Sequence, residues 1–140
     1  MNSDIKYNLT KKKPPIYDAL DREFGISKHK GIIISYAPAI YCNIDNLPEH
    51  LIEHEKVHIR QQTEIGVENW WQKFIDDPKF RLDQEVEAYR VQVKWLQENT
   101  ESLSRNERRG WIKKCAEDLS SGIYGNIISY EQAFNLITKQ

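Results

Sequence analysis

The chain is poor in the residues that mark several classes of protein. It has two cysteines, Cys42 and Cys115, and no CxxC pair, which argues against a cysteine-built zinc site. Both read as reduced core thiols, with a single disulfide between them as the alternative. No apolar run approaches the roughly 20 residues that cross a bilayer, so no membrane role is expected. The first fifteen residues contain no apolar segment of the kind a secretion signal needs. These features point to a protein kept in a cytoplasm, or packaged from one into a virion. An excess of charge of one sign is also missing, because 20 Lys and Arg stand against 21 Asp and Glu. A net charge of −1 supplies no basic field for nucleic acid. The one basic run, Lys11 to Lys13, reads as a solvated loop. There is no internal repeat and no low-complexity linker, and 140 residues suit one domain with its own core, residues 1–140.

What is present is an α+β pattern. Ile5 to Leu9 suits a short strand, and Ile16 to Phe24 a short helix ended by Gly25. The β-branched stretch Gly31 to Tyr36 reads as a strand, and Ile40 to Ile44, after Pro38, as an edge strand. Asn46 with Glu49 suits a capping box for a helix running to about Glu64 and stopping at Gly66, with Pro48 in its first turn. Val67, Trp70, Trp71 and Phe74 mark a short amphipathic helix broken at Asp77-Pro78. A long helix is predicted over Phe80 to Glu98. Ser104 with Glu107 caps a helix whose apolar face is Trp111, Ile112, Cys115 and Leu119. Gly122 to Gly125 reads as a loop, and Ser129 with Gln132 caps a last helix. The four tryptophans suit core packing, although the adjacent pair Trp70-Trp71 cannot point one way and offers an aromatic peptide-binding surface as the alternative.

Residues 54–58, His54-Glu55-Lys56-Val57-His58, form an HExxH motif inside the first strong helix. Residues four apart lie one above the other on a helix, so two imidazoles can reach one ion. Glu55 is rotated about 100° from His54. It therefore reaches a water held at the metal and not the metal itself, which suits a general base. A third ligand is sought on the long helix, where Leu82, Val86, Tyr89, Val93 and Leu96 form an apolar stripe. Glu85 lies at the margin of that stripe and Glu87 on roughly the opposite side. A core-facing carboxylate is costly unless it is paired or binds metal, so Glu85 is the expected ligand and Glu87 a solvated charge. The alternative is that Glu85 pairs with Arg60 or Arg81. A set of two His and one Glu suits zinc best.

HExxH followed by Glu85-Val86-Glu87-Ala88 on a later helix resembles the gluzincin branch of zinc metallopeptidases, especially its minimal forms. The resemblance spans about Ile32 to Val93 and implies a zincin-like fold: a small N-terminal sheet, an active-site helix and a helical C-terminal part. It implies zinc held by His54, His58 and Glu85, with Glu55 as base, and a peptide or protein as substrate. It also implies an edge strand that pairs with the substrate, for which Ile32 to Tyr36 and Ile40 to Ile44 both qualify. Lys56 stands where the family usually has an uncharged residue, on a different side of the helix from the ligands. His50 shares the spacing of four and offers a second pairing with His54, but without an adjacent base. His29 sits in a polar loop and reads as a surface residue. Such enzymes need a donor for the developing oxyanion. Tyr124, in a Gly-flanked loop, is the candidate, with packing beneath the loop as its alternative and Tyr89 and Arg90 as weaker choices.

Three readings follow. One is a metallopeptidase. Another is a non-catalytic metal protein that assembles with other proteins, in keeping with a resemblance to small bacteriophage-encoded HExxH proteins. The last is a helical interaction module in which HExxH is a coincidence.

Overall fold

The computed structural model describes residues 4–139. Among these the fold is α+β, mostly helical, with three short strands and six α-helices. The strands are β1 (Asn8–Thr10), β2 (Ile34–Tyr36) and β3 (Ala39–Tyr41), in the order β1-β3-β2. β1 runs parallel to β3, and β2 antiparallel to it, with Ser35 opposite Ile40. The segment expected as an edge strand is thus the central one. Pro38 lies in the turn before β3, so its missing N–H costs the ladder nothing, and Ile40 is wholly buried. β1 overlaps the expected Ile5 to Leu9 only at Asn8 and Leu9 and ends at Thr10, and β2 is shorter than the apolar run that contains it. Gly31 has a φ of 72°, which ends the extended conformation on that side of β2.

The helices are α1 (Tyr17–Phe24), α2 (Glu49–Ile65), α3 (Val67–Asp76), α4 (Pro78–Glu98), α5 (Arg105–Leu119) and α6 (Tyr130–Thr138). The capping boxes expected at Ser104 with Glu107 and at Ser129 with Gln132 are both formed. That of Asn46 with Glu49 is not. Pro48 forces Leu47 away from helical angles, so α2 starts after Pro48 and Asn46 is left outside with a φ of 56°. Asp77-Pro78 ends α3 and at the same point starts α4, two residues before the expected Phe80. Asp77 Oδ1 accepts from the amides of Lys79 and Phe80 at 3.0 and 3.2 Å, and Pro78 occupies the first helical position, where a missing N–H is harmless.

Two apolar clusters flank the α2–α4 contact. One joins Tyr89 and Val93 of α4 to Cys115, Ala116 and Leu119 of α5 and Ala133 and Ile137 of α6. The other joins Leu20, Ile26 and Ile34 to Trp70, Trp71 and Phe74 of α3. Both adjacent tryptophans are buried, because their rings meet edge to face at 88° within the core, so they form no surface patch. The two cysteines are free and buried, as reduced core thiols. No helix among the described residues is long and apolar enough to cross a membrane. Since Asp77 starts the helix that carries Glu85, Asp77→Ala is expected to destabilise the fold by about 1 kcal/mol in urea unfolding, the usual value of an N-cap.

Candidate metal centre

α2 and α4 pack side by side and bring together the residues the motif suggested. One turn apart on α2, His54 and His58 point their Nε2 atoms at each other across 3.2 Å. Glu85 reaches both from α4, with Oε1 3.2 Å from His54 Nε2 and Oε2 3.1 Å from His58 Nε2. All three side chains are buried, and among the described residues they form the group able to hold a metal ion. A tetrahedral zinc site with bonds of 2.0–2.1 Å places its donor atoms about 3.3 Å apart, and that is the spacing of the two Nε2 atoms and of each from its nearer Glu85 oxygen. Glu85 Oε1 is buried without a hydrogen-bond partner, an arrangement that favours a cation in that position. Neither arginine offered as a partner for Glu85 reaches it. Arg60 pairs with Glu64 and Glu87, and Arg81 donates to the carbonyls of Phe74, Ile75 and Tyr124.

The electrostatics show how the chain tolerates these groups without an ion. Burial opposes a charge on His58, but the Glu85 carboxylate overrides it and raises the His58 pKa. Burial likewise opposes a charge on Glu85, and His58 and His54 override it and hold its pKa low.

The far side of each imidazole meets an amide. His58 Nδ1 lies 2.9 Å from Gln61 Oε1, and His54 Nδ1 lies 3.0 Å from Gln92 Oε1. Gln92 Nε2 in turn lies 2.9 Å from His50 Nδ1. His50 is therefore a support for the site and not a ligand. It is buried against Trp111, not near solvent, and burial with the nearby His54 lowers its pKa to about 4, so it is neutral. Glu87 is exposed, as expected of a solvated charge, but it is not without partners. Its carboxylate accepts from Gln61 Nε2 at 2.8 Å and pairs with Arg60. Lys56 is turned away from the ligands, toward Glu53 and the ring of Tyr7. His29 is exposed, as its polar loop implied.

Glu55 stands beside the triangle. Ser35 Oγ of β2 donates to Glu55 Oε1 at 2.9 Å, which leaves Oε2 turned toward the ligands, 3.8 Å from His54 Nε2. Burial raises the Glu55 pKa against the opposing pull of His54 and His58. A cavity of about 610 Å³ opens over the group, lined by His54, Glu55, His58, Glu85, Trp111 and Tyr124 among others. Tyr124 sits in a 3-10 turn, Gly122–Tyr124, where a loop was expected, and Arg81 Nε pins its carbonyl at 2.9 Å. Its hydroxyl meets that of Tyr89 at 2.9 Å, while burial and then the Glu85 charge keep it protonated. Tyr89 also packs against the His54 ring, whereas Arg90 Nε donates away from the site to the Leu136 carbonyl.

Ser35, Gln61 and Gln92 escaped the motif reading, although two carried a signal. Gln61 follows His54 by seven residues and Gln92 follows Glu85 by seven, so each lies about 20° from a ligand on its helix. Nothing in sequence tied Ser35 to Glu55. Removing its hydroxyl leaves a buried carboxylate short of a donor, so Ser35→Ala should cost about 1–3 kcal/mol in chemical unfolding. Metal content should not change, because Ser35 touches none of the three ligands. Comparison of the chain with known protein families, curated proteins and solved structures gives no match.

Proposed function

We propose that the chain is a zinc-dependent metallopeptidase-like hydrolase of the minimal gluzincin type, with His54, His58 and Glu85 as ligands and Glu55 as general base. The donor triangle supports this most directly. Three groups that are costly to bury meet at one place, with the two Nε2 atoms at a spacing suited to zinc and a Glu85 oxygen beside each. Zinc bound there supplies Lewis acidity, which makes water nucleophilic near neutral pH and polarises a carbonyl.

The chain's own residues supply the rest. Ser35 anchors one oxygen of Glu55 and leaves Oε2 free to receive a proton beside the ligands. Burial raises Glu55 toward the range in which a carboxyl can take up a proton and return it to a leaving nitrogen. Tyr124 is the proposed oxyanion donor. When Tyr89 donates to its oxygen, the Tyr124 proton remains available to a substrate. The cavity is of the size that holds a small ligand or a few residues of peptide. Of the two candidate strands β2 lies at a sheet edge and β3 at the centre, so β2 is the better choice for pairing with an extended substrate.

One observation favours a second reading, a non-catalytic metal protein such as an accessory component of a phage particle. The Ser35 carbonyl on β2 already accepts from Gln62 Nε2 at 2.8 Å and Trp71 Nε1 at 3.2 Å, which shortens the edge open to a substrate.

Metal analysis of the purified protein is the test. About one zinc per chain is expected, lost in His58→Ala, and no uptake by the wild type would remove both readings. Glu55→Gln should keep the metal and lose peptide hydrolysis, because Glu55 is not a ligand. A wild type that binds zinc yet cleaves nothing in a diverse peptide library would select the second reading.

A further inference from the structure

For an imidazole to offer the Nε2 lone pair to a metal, its proton must sit on Nδ1, and an acceptor at Nδ1 fixes it there. Both ligating histidines have such an acceptor, and in both cases it is a glutamine amide. An amide presents oxygen at one end and N–H at the other, so whatever binds the far end decides which end faces the histidine.

At Gln61 the far end is unambiguous. Its Nε2 lies 3.1 Å from the Gln84 carbonyl and 2.8 Å from Glu87 Oε1, both pure acceptors. Reversing the amide would set Oε1 against two oxygens, so Oε1 stays on His58 Nδ1. At Gln92 the far end, Nε2, lies 2.9 Å from His50 Nδ1 and Oε1 lies 3.0 Å from His54 Nδ1, an arrangement in which His50 carries its proton on Nε2 and accepts at Nδ1. Both amides are buried, at 4% and 1% exposure, where a leucine of similar volume would need no hydrogen bonds. They bridge α2 and α4 in two parallel chains, Glu87–Gln61–His58 and His50–Gln92–His54.

We propose that Gln61 and Gln92 are positioning residues that set the Nδ1–H tautomer of both ligating histidines, with Glu87 and His50 as their outer anchors. This rests on the metal-site reading above. It assigns a role at the site to Glu87, an exposed carboxylate that touches no ligand, and to His50, a histidine that binds no metal.

The test is the zinc affinity of full-length protein, prepared metal-free and titrated against a competing chelator. Gln61→Leu and Gln92→Leu should each weaken zinc binding 10–100-fold, the usual effect of losing an outer-shell partner. Their metal-free forms should still unfold cooperatively, with melting temperatures lowered only by as much as the lost hydrogen bonds cost, since leucine fills the same space. Gln92→Glu, which keeps an oxygen at His54 Nδ1, should bind close to wild type. Leucine variants that bind like a zinc-binding wild type would overturn the proposal and leave the metal site standing. So would a Gln92→Glu variant as weak as Gln92→Leu. A wild type that takes up no zinc would remove both. Should a leucine variant not fold, long-range ¹H–¹⁵N spectra of the zinc-loaded wild type decide. The proposal requires a slowly exchanging proton on Nδ1 of His54 and of His58, and a metal on Nδ1 of either would overturn it.

Discussion

The structure is organised around a polar seam that must stay dry. Two imidazoles and a carboxylate converge between α2 and α4 with their donor atoms 3.1–3.2 Å apart, each side chain buried. Such a cluster is unfavourable unless a cation or a shared proton fills its centre and hydrogen bonds satisfy its outer atoms. Much of the surrounding architecture meets that condition. Amides bracket both imidazoles from behind, a serine holds the neighbouring carboxylate, and aromatic rings close the flanks. Trp70 lies 5.3 Å from the His58 ring, and Tyr89 lies 4.4 Å from that of His54.

The two apolar clusters give the seam its rigidity. One packs α4 against α5 and α6, and the other packs α3 against α1 and β2, so the elements beside α2 are braced on both sides of the chain that carries Glu85. The short connections assist. α2 passes to α3 through Gly66 alone, and α3 to α4 through Asp77 alone, so three helices turn sharply around the site. Arg81 adds a cross-link by satisfying the carbonyls of Phe74 and Ile75 near the end of α3 and holding the Tyr124 turn. The candidate oxyanion donor and the third ligand are therefore positioned from the same helix.

Helix periodicity made much of this legible beforehand. The HExxH spacing placed His54 and His58 together, and the stripe from Leu82 to Leu96 turned Glu85 inward and excluded Glu87 as a ligand. Two of three expected capping boxes formed, because their signals involve only residues three apart. The third failed because Pro48 blocked the helix from starting earlier, a local conflict between a cap and a proline. The strands were less legible. Three-residue strands carry almost no periodicity, and only pairing decides that Ala39–Tyr41 is central while Ile34–Tyr36 lies at the edge.

By itself, then, the sequence determined the helices, the inward faces of α2 and α4, and the candidate metal-holding group His54, His58 and Glu85. Those follow from rotation per residue, which is a property of the backbone. Which partners meet those faces was decided only by the tertiary structure. It placed Ser35 on Glu55, joined Gln61 to Glu87 and Gln92 to His50, and drew Tyr124 against Tyr89. Each of these contacts joins residues between 20 and 42 positions apart. Their meeting depends on the angle and depth at which helices pack, and no local pattern encodes either.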